Sequence, residues 1–216
     1  MSHFKSYWYR PEGFTNFGDE IGHEILEKLG HTVEWAPLEE ADIITTGTLL
    51  NDAIKKAKDG LIVLGAGLGG FQNGIDRFKL LAVRGKLTSA CIRSKQSPIL
   101  GDLALIAPFL YEPAEAVIHK VGVVRHYVDG NKYPFADYEI SATWPPEQVI
   151  KEITSCEFVI SSSLHGCIIA EAYGVPWMRA THSDVLAGDF KFSDFGSSLG
   201  NLKETQNQLM DMLKRL

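Results

Sequence analysis

The stretch that decides the fold is Val159-Ile160-Ser161-Ser162-Ser163-Leu164-His165-Gly166. Its apolar start predicts a buried strand over residues 157–160, followed by a loop over 161–166 and a helix over 167–173. The serine hydroxyls and the free N–H groups of the helix start would then face one space, where His165 could serve as general acid or anion clamp. The alternative is that the serines cap the helix and that His165 is a structural histidine.

Short apolar runs alternate with helical patterns along the rest of the chain, which is typical of α/β proteins with parallel strands. Further strands are predicted over residues 4–9, 32–35, 42–46, 61–67, 79–83, 120–124, 139–142 and 177–180. Further helices are predicted over residues 19–29, 49–57, 86–92, 145–154 and 202–216. We therefore expect two Rossmann-like lobes, residues 1–115 and 116–216, facing a central cleft, with the terminal helix packing back on the first lobe.

Composition narrows the class of protein. The chain has 216 residues, 45% of them hydrophobic and 22% charged, as in an ordinary globular protein. Its 21 Lys and Arg against 27 Asp and Glu give a net charge of -6, which disfavours nucleic acid as a partner. No apolar run reaches membrane-spanning length and no secretory signal is visible, so we expect a cytoplasmic protein for which peripheral membrane contact stays possible.

The three cysteines, Cys91, Cys156 and Cys167, lie in or beside apolar segments and form no metal-binding pair. They predict buried thiols and no metal site.

A second candidate site follows the first predicted strand. Asn16 and Asp19 could hydrogen-bond hydroxyl groups, and Gly18 would let a ligand approach the backbone closely. The alternative is a plain loop in which Asp19 caps the next helix.

The glycine-rich stretch after residues 61–64 matches the dinucleotide pattern GxGxxG at Gly65, Gly67 and Gly70. The residues that follow it do not predict a helix, and no acidic residue stands at the expected distance. We therefore reject a nicotinamide dinucleotide and interpret the stretch as a loop at the cleft.

Arg84 and Arg125 each stand at the end of a predicted strand. Their planar guanidinium groups suit an anionic substrate, although a surface salt bridge is the alternative for each. Trp8, Tyr9 and Trp144 could stack on a sugar or belong to the core.

Taken in order, several segments resemble the polysaccharide pyruvyl transferase family, particularly its exopolysaccharide ketal-pyruvate branch. The matching segments are residues 16–19, 82–88, 100–102, 121–129, 159–177 and 191–195. Many members carry arginine where this chain has Ser163, so Arg84 or Arg125 is expected to make that contact.

The resemblance implies a GT-B-like pair of lobes. It also implies transfer of an enolpyruvyl-derived group from phosphoenolpyruvate to the hydroxyls of a glycan or lipid-linked saccharide, with no further cofactor. Among catalytic residues we expect His165 as general acid, His126 in reserve and Asp19 at the acceptor hydroxyl. The expected donor-binding residues are Arg84, Arg125, Ser162, Ser163, Leu164 and Gly166, and the expected acceptor or cleft residues are Asn16, Gly18, Gly67 and Lys191.

Two alternatives stay open. One is a nucleotide-sugar glycosyltransferase with the same two lobes, and the other is a non-catalytic glycan-binding paralogue.

Overall fold

A computed structural model describes residues 1–10, 12–70, 74–92, 94–180 and 188–216. Within these ranges, six strands form a first parallel sheet in the order β2-β1-β3-β4-β5-β6. The strands are β1 (His3–Tyr7), β2 (Thr32–Trp35), β3 (Ile43–Ile44), β4 (Ile62–Ala66), β5 (Lys79–Val83) and β6 (Ile99–Leu100).

A second parallel sheet of four strands has the order β10-β9-β7-β8 within the described residues. Its strands are β7 (His119–Arg125), β8 (Tyr138–Ser141), β9 (Cys156–Ser161) and β10 (Trp177–Arg179). The predicted α/β class with two parallel, Rossmann-like sheets is thus confirmed. The division into lobes at residue 115 stays a prediction.

Helices connect the strands of both sheets. The α-helices are α1 (Phe17–Lys28), α2 (Lys86–Ile92), α3 (Pro146–Thr154), α4 (Leu164–Tyr173), α5 (Gly188–Gly196) and α6 (Leu202–Leu213). Short 3₁₀ helices span Asp52–Lys56, Ile75–Arg77 and Leu103–Phe109. The terminal helix α6 lies against the last of these, where Gln206 Nε2 donates a hydrogen bond to the carbonyl of Leu105 at 2.8 Å.

Two helices begin earlier than predicted, and one helix was not predicted. Helix α1 begins before Asp19 because Asn16 is its cap: Asn16 Oδ1 accepts a hydrogen bond from Gly18 N at 3.0 Å. Helix α4 begins at Leu164, so His165 lies in its first turn instead of in a loop. Helix α5 was not predicted, because its sequence GDFKFSDFG lacks a regular helical apolar stripe.

One hydrophobic core is shared by the two sheets. It joins Leu64 and Ala82 of the first sheet to Val124 and Val159 of the second, with Phe17 of α1 in the same cluster. Cys156 and Cys167 are buried, whereas Cys91 is half-buried. No helix in the described ranges is both long and apolar enough to cross a membrane.

Candidate active site

Polar side chains surround a cavity of about 340 Å³ at the carboxyl ends of strands from both sheets. Arg84 reaches it from the end of β5, His126 from the end of β7, and Ser163 from the turn after β9. Asp19 of α1 and Lys191 of α5 complete its charged lining. The structure thus brings these predicted residues together around one cavity.

Arg84 is the most deeply buried charged group of the cavity, with 1% of its surface exposed. Its Nε donates to Asp102 Oδ2 at 3.2 Å, and its Nη1 donates to Thr48 Oγ1 at 3.4 Å. Its Nη2 has no hydrogen-bond partner among the described residues. A buried donor without a partner is costly, so this nitrogen is suited to an anionic ligand.

Gly67 makes room for this guanidinium. A Cβ on Gly67 would overlap Arg84 Nη1 and Cζ. Gly67 itself does not line the cavity. Its role is thus to admit Arg84 and not to contact a ligand.

His165 is held between two elements. Its Nε2 lies 3.6 Å from Asp102 Oδ2 and makes no hydrogen bond within the described residues. On its other edge, a Cβ on Gly18 would overlap the imidazole, and Phe17 packs edge-on with ring centroids 6.2 Å apart. Gly18 therefore serves the packing of α1 against His165.

Asp102 lies between Arg84 and His165. It is fully buried and caps the Leu103–Phe109 helix, since its Oδ1 accepts a hydrogen bond from Ala104 N at 3.0 Å. Burial acts to raise the pKa of Asp102, but His165 and Arg84 overcome this and hold the pKa below its ordinary value. Asp102 is thus an anion that fixes the arrangement of both neighbours.

Asp19 and Lys191 have strongly shifted pKa values. Burial raises the pKa of Asp19 to about 6, although the nearby charges of His165, Arg84 and Lys191 act to lower it. Burial also lowers the pKa of Lys191 to about 8, assisted by Arg84 and opposed by Asp19. One carboxyl and one amine therefore titrate on either side of neutral pH in the same cavity.

The position of Lys191 is fixed by the helix that carries it. Asp194, one turn further along α5, is fully buried and accepts hydrogen bonds from Thr88 N at 2.8 Å and Thr88 Oγ1 at 2.6 Å. Thr88 Oγ1 in turn accepts one from Leu68 N at 3.0 Å. Helix α5 is thus tied to the start of α2, close to Arg84.

The serines of residues 161–163 have different surroundings: one lines the cavity, and the others bond to neighbouring protein groups. Ser163 and Leu164 line the cavity at the start of α4, and Ser163 occupies the cap position without a side-chain capping bond. Ser162 Oγ instead donates to Asp129 Oδ2 at 2.5 Å and accepts from His126 N at 3.0 Å. A Cβ on Gly166 would overlap Ser161 Oγ, so Gly166 allows α4 to pack closely on the sheet.

Arg125 does not reach the cavity. It forms an ion pair with Glu139 and donates to the carbonyl of Asn131 at 3.3 Å, which is the surface salt bridge held open as the alternative. His126 does line the cavity, with its Nδ1 accepting a long hydrogen bond of 3.4 Å from Val128 N. Asn16 lines it too while capping α1.

Sequence reasoning missed Asp102, Thr48 and Tyr7 as site residues. Thr48 and Tyr7 line the cavity, and Asp102 lies directly behind it. Gly101-Asp102 was recognised only as part of a matching segment, and the pairing of Asp102 with Arg84 joins residues 18 apart in sequence. Thr48 could have been found from its position just after the strand predicted over residues 42–46.

The three tryptophan and tyrosine candidates have different surroundings. Trp8 is buried and stacks on His23, with ring centroids 3.9 Å apart. Trp144 packs against the shared core. Tyr9 is 46% exposed and lines the cavity.

The cavity thus lies at the strand ends of two parallel sheets and presents the basic side chains of Arg84 and Lys191 beside the carboxyl group of Asp19. Residues 2–183 match the family model described as polysaccharide pyruvyl transferase, and the chain belongs to that family.

Two curated relatives are similar to this chain. The succinoglycan biosynthesis protein ExoV of Rhizobium meliloti (strain 1021) is 25% identical over 216 residues, which cover 90% of this chain and 64% of the relative. The uncharacterized protein L143 of Acanthamoeba polyphaga mimivirus is 28% identical over 171 residues, which cover 71% of this chain and 60% of the relative. The chain thus spans less than two thirds of the length of either relative.

Proposed function

We propose that this protein transfers an enolpyruvyl-derived group from phosphoenolpyruvate to two hydroxyls of a saccharide, giving a pyruvate ketal and inorganic phosphate. Membership of the family supports pyruvyl transfer. The relative that is called a succinoglycan biosynthesis protein supports a polysaccharide or its precursor as acceptor.

The observation that carries the proposal is the unpaired Nη2 of the buried Arg84. Phosphoenolpyruvate carries about three negative charges near neutral pH, because its phosphate and its carboxylate are both ionised. Arg84, Lys191 and the N–H groups at the start of α4 offer donors from three sides of one cavity. Binding of the donor would satisfy Nη2 and compensate the crowded positive charges.

Ketal formation needs a proton at C3 of phosphoenolpyruvate and two hydroxyl nucleophiles at C2. Protonation of C3 turns the methylene into a methyl group and leaves C2 oxocarbenium-like. The first hydroxyl attacks C2 and loses its proton, and phosphate then leaves with the electron pair of the C2–O bond. A second hydroxyl attacks C2 and loses its proton, so that the ring closes. One released proton replaces the proton given to C3, and the other is taken up by phosphate.

The described side chains fit these roles. His165 supplies the proton to C3, and the carboxylate of Asp102, 3.6 Å away, stabilises its charged form. Asp19 accepts the proton of the attacking hydroxyl, because a carboxyl with a pKa of about 6 is largely ionised at neutral pH and still basic. His126, the alternative acid, also lines the cavity.

The test is a transfer assay with phosphoenolpyruvate or UDP-sugars as donor and a panel of saccharides as acceptor. We expect phosphate release together with the mass increase of a pyruvate ketal, only with phosphoenolpyruvate. The variant His165→Gln keeps a side chain of similar size and should lose at least about a hundredfold in turnover while binding phosphoenolpyruvate.

The transfer assay tests the first alternative, and calorimetry with phosphoenolpyruvate tests the second. Consumption of a UDP-sugar with glycosyl transfer would replace the proposal by a glycosyltransferase. The absence of any heat with phosphoenolpyruvate would replace it by a non-catalytic glycan-binding protein.

A further inference from the structure

A smaller cavity of about 290 Å³ adjoins the reaction cavity. It lies over the loop between β1 and α1 and is lined by Tyr9, Arg10, Phe14, Thr15 and Glu20. Tyr9 and Asn16 belong to the walls of both cavities. The two cavities are therefore neighbours that share a wall, and the proposed pyruvyl transfer makes no use of the smaller one.

The wall between the two cavities is aromatic and accessible. Tyr9, Phe14 and Tyr127 expose 46%, 36% and 42% of their surfaces. Phe14 contacts Tyr127 with ring centroids 4.8 Å apart, so residues before α1 and after β7 build one aromatic surface. Apolar patches of this kind at a cavity mark binding sites for ligands.

The polar residues of this cavity select among ligands. Glu20 is partly buried, and its carboxylate would repel a phosphate group but accept hydrogen bonds from hydroxyls. Arg10 also lines the cavity, with its guanidinium over the rings of Trp8 and Trp35 at 5.8 Å from each centroid. Its positive charge partly offsets the negative charge of Glu20, so the cavity favours neither an anion nor a cation. A neutral ligand with an apolar face and hydroxyl edges, such as a sugar ring, matches both the aromatic wall and the carboxylate.

We propose that this smaller cavity binds the saccharide unit next to the one that receives the pyruvate. The inference rests on the proposed function: the accepting unit lies beside Asp19, and the neighbouring unit covers Tyr9 and Phe14. The protein would accordingly bind a disaccharide more tightly than the matching monosaccharide glycoside, since only the disaccharide fills both cavities.

The test measures saccharide binding directly, by saturation-transfer NMR and titration. The probes are methyl β-glucoside, methyl β-galactoside, cellobiose and lactose, each with and without phosphoenolpyruvate. Wild type should bind at least one disaccharide more tightly than its glycoside. Phe14→Ala should weaken that disaccharide by about tenfold and leave the glycoside unchanged, because Phe14 lines only the smaller cavity. Tyr9→Ala removes part of the wall shared by both cavities and should weaken the disaccharide by at least as much.

The matched control is Phe135→Ala, because Phe135 is 61% exposed and lines neither cavity. It should leave every affinity unchanged. Calorimetry with phosphoenolpyruvate on the same proteins separates the two proposals. If phosphoenolpyruvate fails to bind while the tyrosine and phenylalanine variants weaken the disaccharide, the proposed function fails and the saccharide subsite stands.

The subsite itself is overturned if the variants bind the disaccharide as tightly as wild type. It is also overturned if no disaccharide in the panel binds better than its glycoside.

Discussion

Asp102 Oδ2 accepts a hydrogen bond from Arg84 Nε at 3.2 Å, and the side chains of both residues are at most 1% exposed. A buried ion pair of this kind contributes little net stability over an apolar pair, yet breaking it leaves an uncompensated charge in the interior. The pair is therefore best understood as a device that holds a cation at the cavity wall.

The variant Asp102→Asn should test this relationship. The amide can still accept hydrogen bonds, but it no longer balances Arg84 or a protonated His165. We expect the free energy of unfolding to fall by about 3 kcal/mol in urea titrations and kcat to fall more steeply than KM rises.

Asp211→Asn is its matched control, because Asp211 is 66% exposed on α6 and pairs with Lys214. It should change neither quantity. Wild-type turnover in Asp102→Asn would contradict a role of Asp102 in positioning the two cations.

Gly67→Ala should displace the guanidinium of Arg84 without changing its charge. The added methyl group overlaps Arg84 Nη1, so Arg84 has to move away from Thr48 and Asp102. We expect the Kd for phosphoenolpyruvate to rise by about tenfold in calorimetry. Gly200→Ala, where a Cβ meets nothing within 4 Å, should bind like wild type. Equal affinity in both variants would show that the position of Arg84 does not matter for the donor.

Asp19→Asn should remove a pH dependence of stability that the wild type shows in a defined window. Burial raises the pKa of Asp19 from its ordinary value of 3.8 to about 6 in the folded protein, so folding favours the protonated form of its carboxyl group. As pH rises from about 4 to about 6, the wild type should lose stability relative to the variant, by up to about 3 kcal/mol. Above that range the difference should stay constant.

Urea unfolding at a series of pH values measures this difference, and turnover of the same variant should be abolished. A stability difference that does not change with pH would mean that Asp19 is as well solvated in the folded as in the unfolded chain.

Lys191→Arg should extend donor binding to higher pH. Lys191 loses its charge above a pKa of about 8, whereas arginine stays charged in any protein. Wild-type affinity for phosphoenolpyruvate should therefore weaken between about pH 7 and pH 9, while the arginine variant keeps its affinity over that interval. Lys191→Met should bind weakly throughout. The same pH dependence in wild type and Lys191→Arg would exclude the ammonium of Lys191 from donor binding.

Much of the fold followed from local patterns in the sequence. Strand β5 and helix α2 have the predicted bounds, because an apolar run and a helical pattern stand directly beside a Gly85 turn. Helix α4 starts earlier than predicted, with Ser163 in the cap position but without a side-chain capping bond, and a run of three serines does not reveal where the helix begins.

The cavity brings together residues that were predicted from strand ends and others, such as Lys191, that were predicted only from the family resemblance. Arg84 and His165 were found because each stands just after a strand. Nothing local distinguishes Arg84 from Arg125, and only tertiary structure buries the first and pairs the second with Glu139. Asp102 escaped notice for the same reason, since its partners come from other elements.

The anchoring of α5 by Asp194 has a consequence for how the molecule works. Lys191 follows the second sheet in sequence, yet Asp194 of the same helix accepts two hydrogen bonds from Thr88, which follows strand β5 of the first sheet. Both sheets also share one hydrophobic core. These hydrogen bonds and the shared core hold Lys191 and Arg84 in place before a ligand arrives, so binding should spend little free energy on ordering the site.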